Sequence, residues 1–179
     1  MTAALEIRDA KPLDAGAVGE ILTRFIDDTE WMPRVHTRAE DLAHAAGLID
    51  RGWVRVACVS RQVVGFLARE NHFVHALYIA PEQQRCGLGQ TLLADAQAAS
   101  DTLELWTFEA NHGAQRFYER AGFVLVERGD GSTNDEGIAD RRYVWESAST
   151  VSAPDSSQQG AAPANLGAAQ SLEGTHNER

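Results

Sequence analysis

Cysteine is scarce in this chain: Cys58 and Cys86 are the only two in 179 residues. They show no metal-ligand spacing, which excludes a cysteine-based zinc cluster, and two are too few for a disulfide scaffold. A reducing, cytoplasmic setting is expected. Long apolar runs are missing as well. No stretch approaches the roughly 20 apolar residues that span a bilayer. The start, Met1-Thr2-Ala3-Ala4-Leu5-Glu6, has no basic region and no apolar core, so no signal peptide is expected. Positive charge is in short supply: 16 Lys and Arg stand against 26 Asp and Glu, a net charge of −10. That balance argues against nonspecific nucleic-acid binding and against an anionic membrane surface, because both need a basic face. An acidic surface attracts cationic acceptors such as amines; it also serves solubility alone.

Aromatic residues are absent from 147–179, where Ala, Ser, Gly, Gln and Pro take over. Such a segment buries too little apolar area to offset an ordering entropy of roughly 1–2 kcal/mol per residue. The expected organisation is one folded domain over 1–146 and a disordered low-complexity tail over 147–179. The hydrophobic fraction, 44%, is ordinary for a globular protein.

Within the domain, hydrophobic periodicity alternates between strand and helix. Strands are predicted over 5–9, 53–59, 63–68, 72–80, 103–108, 123–128 and 141–146. Asp14 is placed to cap a first helix, with Leu13 and Val18 at hydrophobic-staple spacing. Val18, Ile21, Leu22, Phe25 and Ile26 give that helix one apolar face. Thr37 and Glu40 have the spacing of a capping box. The helix they open is predicted to turn Leu42, Ala46 and Ile49 inward and to end near Gly52. Further helices are predicted over 87–100 and 113–121. The first strands read as an antiparallel meander. The helix over 87–100 then makes a right-handed parallel crossover. The fold class is α/β of the α+β type: a mixed, mostly antiparallel sheet of six or seven strands flanked by about four helices.

The most informative stretch is 75–122. An apolar run, His75-Ala76-Leu77-Tyr78-Ile79-Ala80, leads into Gln84-Arg85-Cys86-Gly87-Leu88-Gly89, and a helix with Leu88, Leu92, Leu93 and Ala96 on one face follows. A helix start carries unpaired N–H groups and a partial positive charge, and glycines let a phosphate come close to them. Arg85 can add a charge-assisted hydrogen bond. A strand-to-helix Gly-x-Gly also serves simply to pack a helix on a strand. A nucleoside-triphosphate loop is excluded, because the Gly89-Gln90-Thr91 sequence has Gln90 where the Lys of Gly-Lys-Ser/Thr is needed. A dinucleotide fingerprint is excluded by Leu92 at its third glycine position.

What remains resembles the pyrophosphate loop of the GNAT N-acetyltransferase superfamily, Gln/Arg-x-x-Gly-x-Gly/Ala. Gln84, Gly87 and Gly89 match it in place. The family's later pattern, Asn-x-x-Ala-x-x-Phe-Tyr followed by Gly-Phe, is matched by Asn111, Ala114, Phe117 and Tyr118 and then Gly122-Phe123. The resemblance spans roughly residues 5–146 and looks like a bacterial subgroup.

The resemblance implies acetyl-coenzyme A as cofactor, held where two parallel strands splay. Its pantetheine arm would pair with the backbone of Leu77, Tyr78 and Ile79, and an N–H near Ile79 would polarise the thioester carbonyl. Gln84, Arg85, Cys86, Gly87, Leu88, Gly89 and Gln90 would cradle the pyrophosphate. Asn111 and Ala114 belong to the cofactor motif; Asn111 is also a good N-cap on local grounds. Tyr118 matches the family's tyrosine that protonates the departing thiolate; on spacing alone it also reads as core beside Phe117. His75, Glu109 and His36 are alternatives for the general base. Trp31, His36, Asn134 and Glu136 are the expected acceptor contacts, with Asp135 beside Glu136. Cys86, beside the pyrophosphate, stands far from a thioester and is not expected to be a nucleophile.

The reading is N-acetylation of a primary amine by direct attack in a ternary complex, with a small-molecule acceptor. Alternatives are a protein lysine or N-terminal acceptor, and a non-catalytic acyl-coenzyme A sensor. A homodimer is compatible with the resemblance.

Overall fold

The computed structural model describes residues 4–148. The predicted tail, from 149 onward, lies outside the described residues. Seven strands form one sheet in the order β1-β2-β3-β4-β5-β7-β6. They are β1 (Leu5–Asp9), β2 (Val54–Val59), β3 (Gln62–Glu70), β4 (Phe73–Ile79), β5 (Thr102–Phe108), β6 (Val124–Gly129) and β7 (Asp140–Glu146). Every pairing is antiparallel except β4 with β5. Four helices cover the two faces: α1 (Ala15–Asp28), α2 (Arg38–Asp50), α3 (Leu88–Ala98) and α4 (His112–Arg120). Among the described residues no helix is long and apolar enough to cross a membrane.

Two cores result, one on each face. Leu88, Leu92 and Leu93 of α3 and Ala114, Phe117 and Tyr118 of α4 pack on Leu77, Ile79, Leu103 and Leu105. On the other face, Val18, Ile21 and Phe25 of α1 and Ala45, Leu48 and Ile49 of α2 pack on Phe66, Ala76, Tyr78 and Phe108. Burial at this scale, at ~25 cal/mol per Å² of apolar surface, is the main force holding both helix layers to the sheet.

A one-residue bulge decides which residues face which core. Along β3 and β4, Ala68 pairs with Ala76 but Arg69 pairs with Val74, leaving His75 as the extra residue. Val74 therefore shares a core with Leu77 and Ile79, while Ala76 and Tyr78 face the other way.

Two local expectations are corrected. Leu13 is 96% exposed and staples nothing. The Asp14 side chain does not cap α1. It accepts instead from Arg8 Nη1 and Nη2 at 2.7 and 3.0 Å and from the Lys11 amide at 2.7 Å. Arg8 holds that carboxyl below its ordinary range, burial opposing. The second correction is the phase of α2. Thr37 and Glu40 do form the capping box. The buried face, however, is Asp41, Ala45, Leu48 and Ile49, with Leu42 46% exposed. A buried carboxylate sets this phase: Asp41 accepts from Thr23 Oγ1 at 2.8 Å and Arg34 Nη1 at 2.9 Å, fastening α2 to α1 and to the loop between them. Pairing of that kind lets a charge enter a core.

Candidate active site

The parallel strands β4 and β5 touch only at one end. Among the described residues Phe73 and Glu104 are their one register pair, joined by a 2.8 Å bond from the Glu104 amide to the His72 carbonyl. Beyond it the strands part. The Ala80 amide donates to Val64 O of β3 at 2.8 Å. Antiparallel alternation then turns the amides of Leu77 and Ile79 away from β3, toward the gap. An unpaired strand edge of this kind accepts an extended arm.

The turn after β4 sets the start of α3. Gly87 has φ +79°, a left-handed conformation that favours glycine, and a Cβ there would meet nothing within 4 Å. The first helical bond is from the Thr91 amide to Gly87 O at 3.0 Å. The amides of Leu88, Gly89 and Gln90 therefore have no partner within the helix. Gln84 donates from Nε2 to Ile79 O at 3.4 Å, tying the turn back to the strand end. Cys86 is exposed, its Sγ 3.5 Å from Gln84 O. Arg85 is exposed, with φ +62°.

On the α3–α4 side of the gap stands Tyr118, fully buried, its Oη without a hydrogen-bond partner. Burial drives its phenol well above the ordinary tyrosine range, with Tyr78 adding to the effect. The group therefore keeps its proton at neutral pH. A second buried hydroxyl, Thr107 Oγ1 on β5, also lacks a partner. Strand alternation with Leu103 and Leu105 turns Thr107 to the same face. Two orphaned hydroxyls, the free amides at 77 and 79 and the free amides at 88–90 fit a pantetheine arm and a pyrophosphate. Asn111 caps α4, accepting from the Ala114 amide at 2.9 Å. Sequence reasoning missed Thr107, because a β-branched residue in a strand carries no functional signal of its own.

It also missed the brace that sets α4 against β5. Gln115, buried on α4, donates from Nε2 to Phe108 O at 3.2 Å and to Glu109 O at 2.7 Å. Arg141 of β7 donates to Gln115 Oε1 at 3.0 Å and to Glu109 Oε1 at 2.6 Å. This corrects the expectation for Glu109. The Arg141 guanidinium holds its carboxyl below the usual range, so it is a poor proton acceptor. His75 is also displaced from the chemistry. It stacks on Trp53 at 5.1 Å, meets Phe73 edge-on at 4.8 Å, and has Glu70 Oε2 3.3 Å from its Nε2. Four residues before Ile79, it stands about 13 Å down the strand at roughly 3.3 Å per residue.

On the α1–α2 face lies a cavity of about 40 Å³. Leu22, Ile26, Leu48, Phe66 and Ala76 give it an apolar body; His36, His44, Tyr78 and Glu136 give it polar groups. Two buried atoms there lack hydrogen-bond partners, His36 Nε2 and Glu136 Oε2. Asp135 Oδ2 lies 3.5 Å from His36 Nε2, beyond a well-formed bond. Burial pushes the Glu136 carboxyl above its ordinary range, and Asp135 pushes the same way. Burial likewise lowers His44.

Two expected acceptor contacts are placed elsewhere. Trp31 packs edge-on between Phe25 at 6.4 Å and Phe108 at 5.9 Å, walling the core outside this cavity. Asn134 is spent on its own loop. Its Nδ2 donates to Ile138 O at 2.8 Å and Asp140 Oδ2 at 3.0 Å, and its Oδ1 accepts from the Ile138 amide at 3.2 Å. Those bonds fold the β6–β7 loop so that Glu136 reaches the cavity.

Comparisons with known proteins agree with this geometry. The acetyltransferase (GNAT) domain family matches residues 50–125. The peptidyl-lysine N-acetyltransferase YjaB of Escherichia coli is 32% identical over 129 residues, 70% of this chain and 86% of YjaB. The uncharacterized N-acetyltransferase YafP of Escherichia coli is 27% identical over 132 residues, 69% of this chain and 84% of that protein. Among solved structures, yncA of Salmonella typhimurium with its cofactor acetyl-CoA superposes with a TM-score of 0.65 at 20% identity, covering 87% of this chain and all of that one. The chain belongs to the GNAT acetyltransferases, acyltransferases that take their acetyl group from acetyl-coenzyme A.

Proposed function

We propose that this protein acetylates a primary amine by direct transfer in a ternary complex, with Tyr118 as the acid at the departing sulfur. The observation that carries this reading is the β4–β5 gap with the buried, unpartnered Tyr118 hydroxyl beside it. Acetyl-coenzyme A, when bound, supplies an activated acetyl thioester. The Leu77 and Ile79 amides would hold its arm in register, with Ile79 N–H as the donor to the thioester carbonyl. The amides of Leu88, Gly89 and Gln90, opened by Gly87, would meet the pyrophosphate, with Gln84, Arg85 and Cys86 in the same turn. Asn111 and Ala114 hold the start of α4, from which Tyr118 presents its proton. Holding two reactants side by side supplies most of the expected acceleration.

For the acceptor we favour a small amine, because the cavity at Glu136 and His36 is narrow and lined mainly by apolar groups. A second reading is a peptidyl-lysine acceptor, supported by the name of the relative YjaB. A cytoplasmic workplace fits the cysteine usage.

The test is free-thiol release from acetyl-coenzyme A across amines, amino acids, polyamines and lysine peptides. Stimulation by one class is expected. Coenzyme A binding with no stimulation by any acceptor would favour an acyl-coenzyme A sensor instead.

A further inference from the structure

We propose that the α1–α2 cavity seats the acceptor, a compact primary amine with a short aliphatic body, whose nitrogen is held and deprotonated at Glu136. This rests on the acyl-transfer reading above and names the substrate class.

The size of the cavity comes first. A water-sized group needs roughly 10–15 Å³ of such space, so about 40 Å³ admits a short chain and little more. Its direction comes second. Tyr78 stands near the open end of the β4–β5 gap, and Ala76 lies toward the paired end. The floor is closed: Ala45 is 1% exposed and Leu48 3%. A molecule with its nitrogen near Glu136 and Tyr78 must therefore bury its body between the helices and the sheet. A lysine side chain approaching that way would have to carry its polypeptide into the same closed floor.

The chemistry at the rim comes third. Glu136 Oε2 is buried, unpartnered and set against an apolar lining. A backbone hydrogen bond within Glu136 and the nearby His36 oppose the effect of burial on its carboxyl, but neither gives Oε2 a hydrogen bond. Asp41 is engaged by Arg34 and Thr23, and Glu40 by Thr37. His36 Nε2 lacks a hydrogen bond of its own. A cationic nitrogen is the natural counterpart of such an oxygen. In a low-dielectric pocket a neutral pair is favoured over an ion pair. One proton therefore passes from the ammonium nitrogen to Glu136 Oε2, leaving a lone pair on nitrogen, and later leaves Glu136 for solvent at the cavity mouth. An amine with a solution pKa near 10 could not otherwise present that lone pair at neutral pH.

The experiment titrates n-alkylamines from propyl to octyl into the full chain with coenzyme A present. The methyl resonances of Leu22, Ile26 and Leu48 report occupancy, and thiol release from acetyl-coenzyme A is measured in parallel with the same amines and a lysine peptide. Saturable methyl shifts are expected, with an optimum at short chains and loss at the longest. Glu136→Gln should weaken alkylamine affinity roughly tenfold or more, about 1.4 kcal/mol. Equal affinity in Glu136→Gln overturns the assignment. So does thiol release with the lysine peptide alone while alkylamines leave the methyls unmoved; that outcome keeps the acetyltransferase reading. Saturable alkylamine binding that Glu136→Gln weakens, without thiol release from any amine, does the reverse: it supports the cavity as an amine site and sinks the transfer reading.

Discussion

On the α3–α4 face, the groups offered to a ligand are mostly main chain: amides at 77 and 79, amides at 88–90, and two hydroxyls. On the α1–α2 face they are side chains drawn from α1, the following loop, α2, β3, β4 and the β6–β7 loop. A site made of backbone depends on conformation, so it is written in a short, contiguous pattern of glycines and a helix start. A site made of side chains depends on which distant segments meet. Its chemistry changes without altering the fold, which suits a family that keeps one donor and varies the acceptor.

The strongest check on this division is Tyr118→Phe. Turnover should fall on the order of 100-fold, with coenzyme A affinity nearly unchanged. Thermal stability should hold or rise, since a buried hydroxyl without a partner is removed. Equal turnover would take the acid chemistry off the α4 face. Next, Asp41→Ala should cost about 3 kcal/mol in urea unfolding, because Arg34 and Thr23 lose their acceptor. Loss of coenzyme A affinity beyond that of the unfolded fraction would show that the two faces are coupled. Gly87→Ala should cost about 1 kcal/mol for its left-handed φ. It should weaken coenzyme A while leaving alkylamine binding alone. Isothermal titration with each ligand separates the two. Least of all, Leu13→Ser should change stability by under ~0.5 kcal/mol, since that side chain is exposed; a larger loss would restore the staple.

The same division explains what could be read in advance. The meander, the crossover and the Gly-x-Gly turn are local patterns, and the strands and helices lie within a few residues of the predicted spans. The phase of α2 was not legible, because hydrophobicity alone does not show that Arg34 and Thr23 would bring Asp41 inside. Asn134 looked like a ligand for an acceptor, but a loop asparagine satisfies its own backbone first. His75 stands on β4 and Glu109 just past the end of β5, yet a pair of rings and an arginine claim them. Glu136 and His36 were legible only as members of the right loops. That they face one cavity depends on how the 131–138 turn folds. There Gly131, at φ +87°, leaves no room for a side chain: a Cβ would come within 2.6 Å of Ile138 C.

The bulge at His75 works like a frameshift in the middle of a strand. Residues before it keep their side of the sheet, and those after it trade sides. Flatten it into regular pairing with every residue kept, and Leu77 and Ile79 would turn toward α1 and α2, while Tyr78 would be driven into the core under α3; remove His75 itself, and each would stay on its present side. Loss of the bulge at constant chain length would therefore exchange the walls of both sites at once, although no residue that touches a ligand had been replaced.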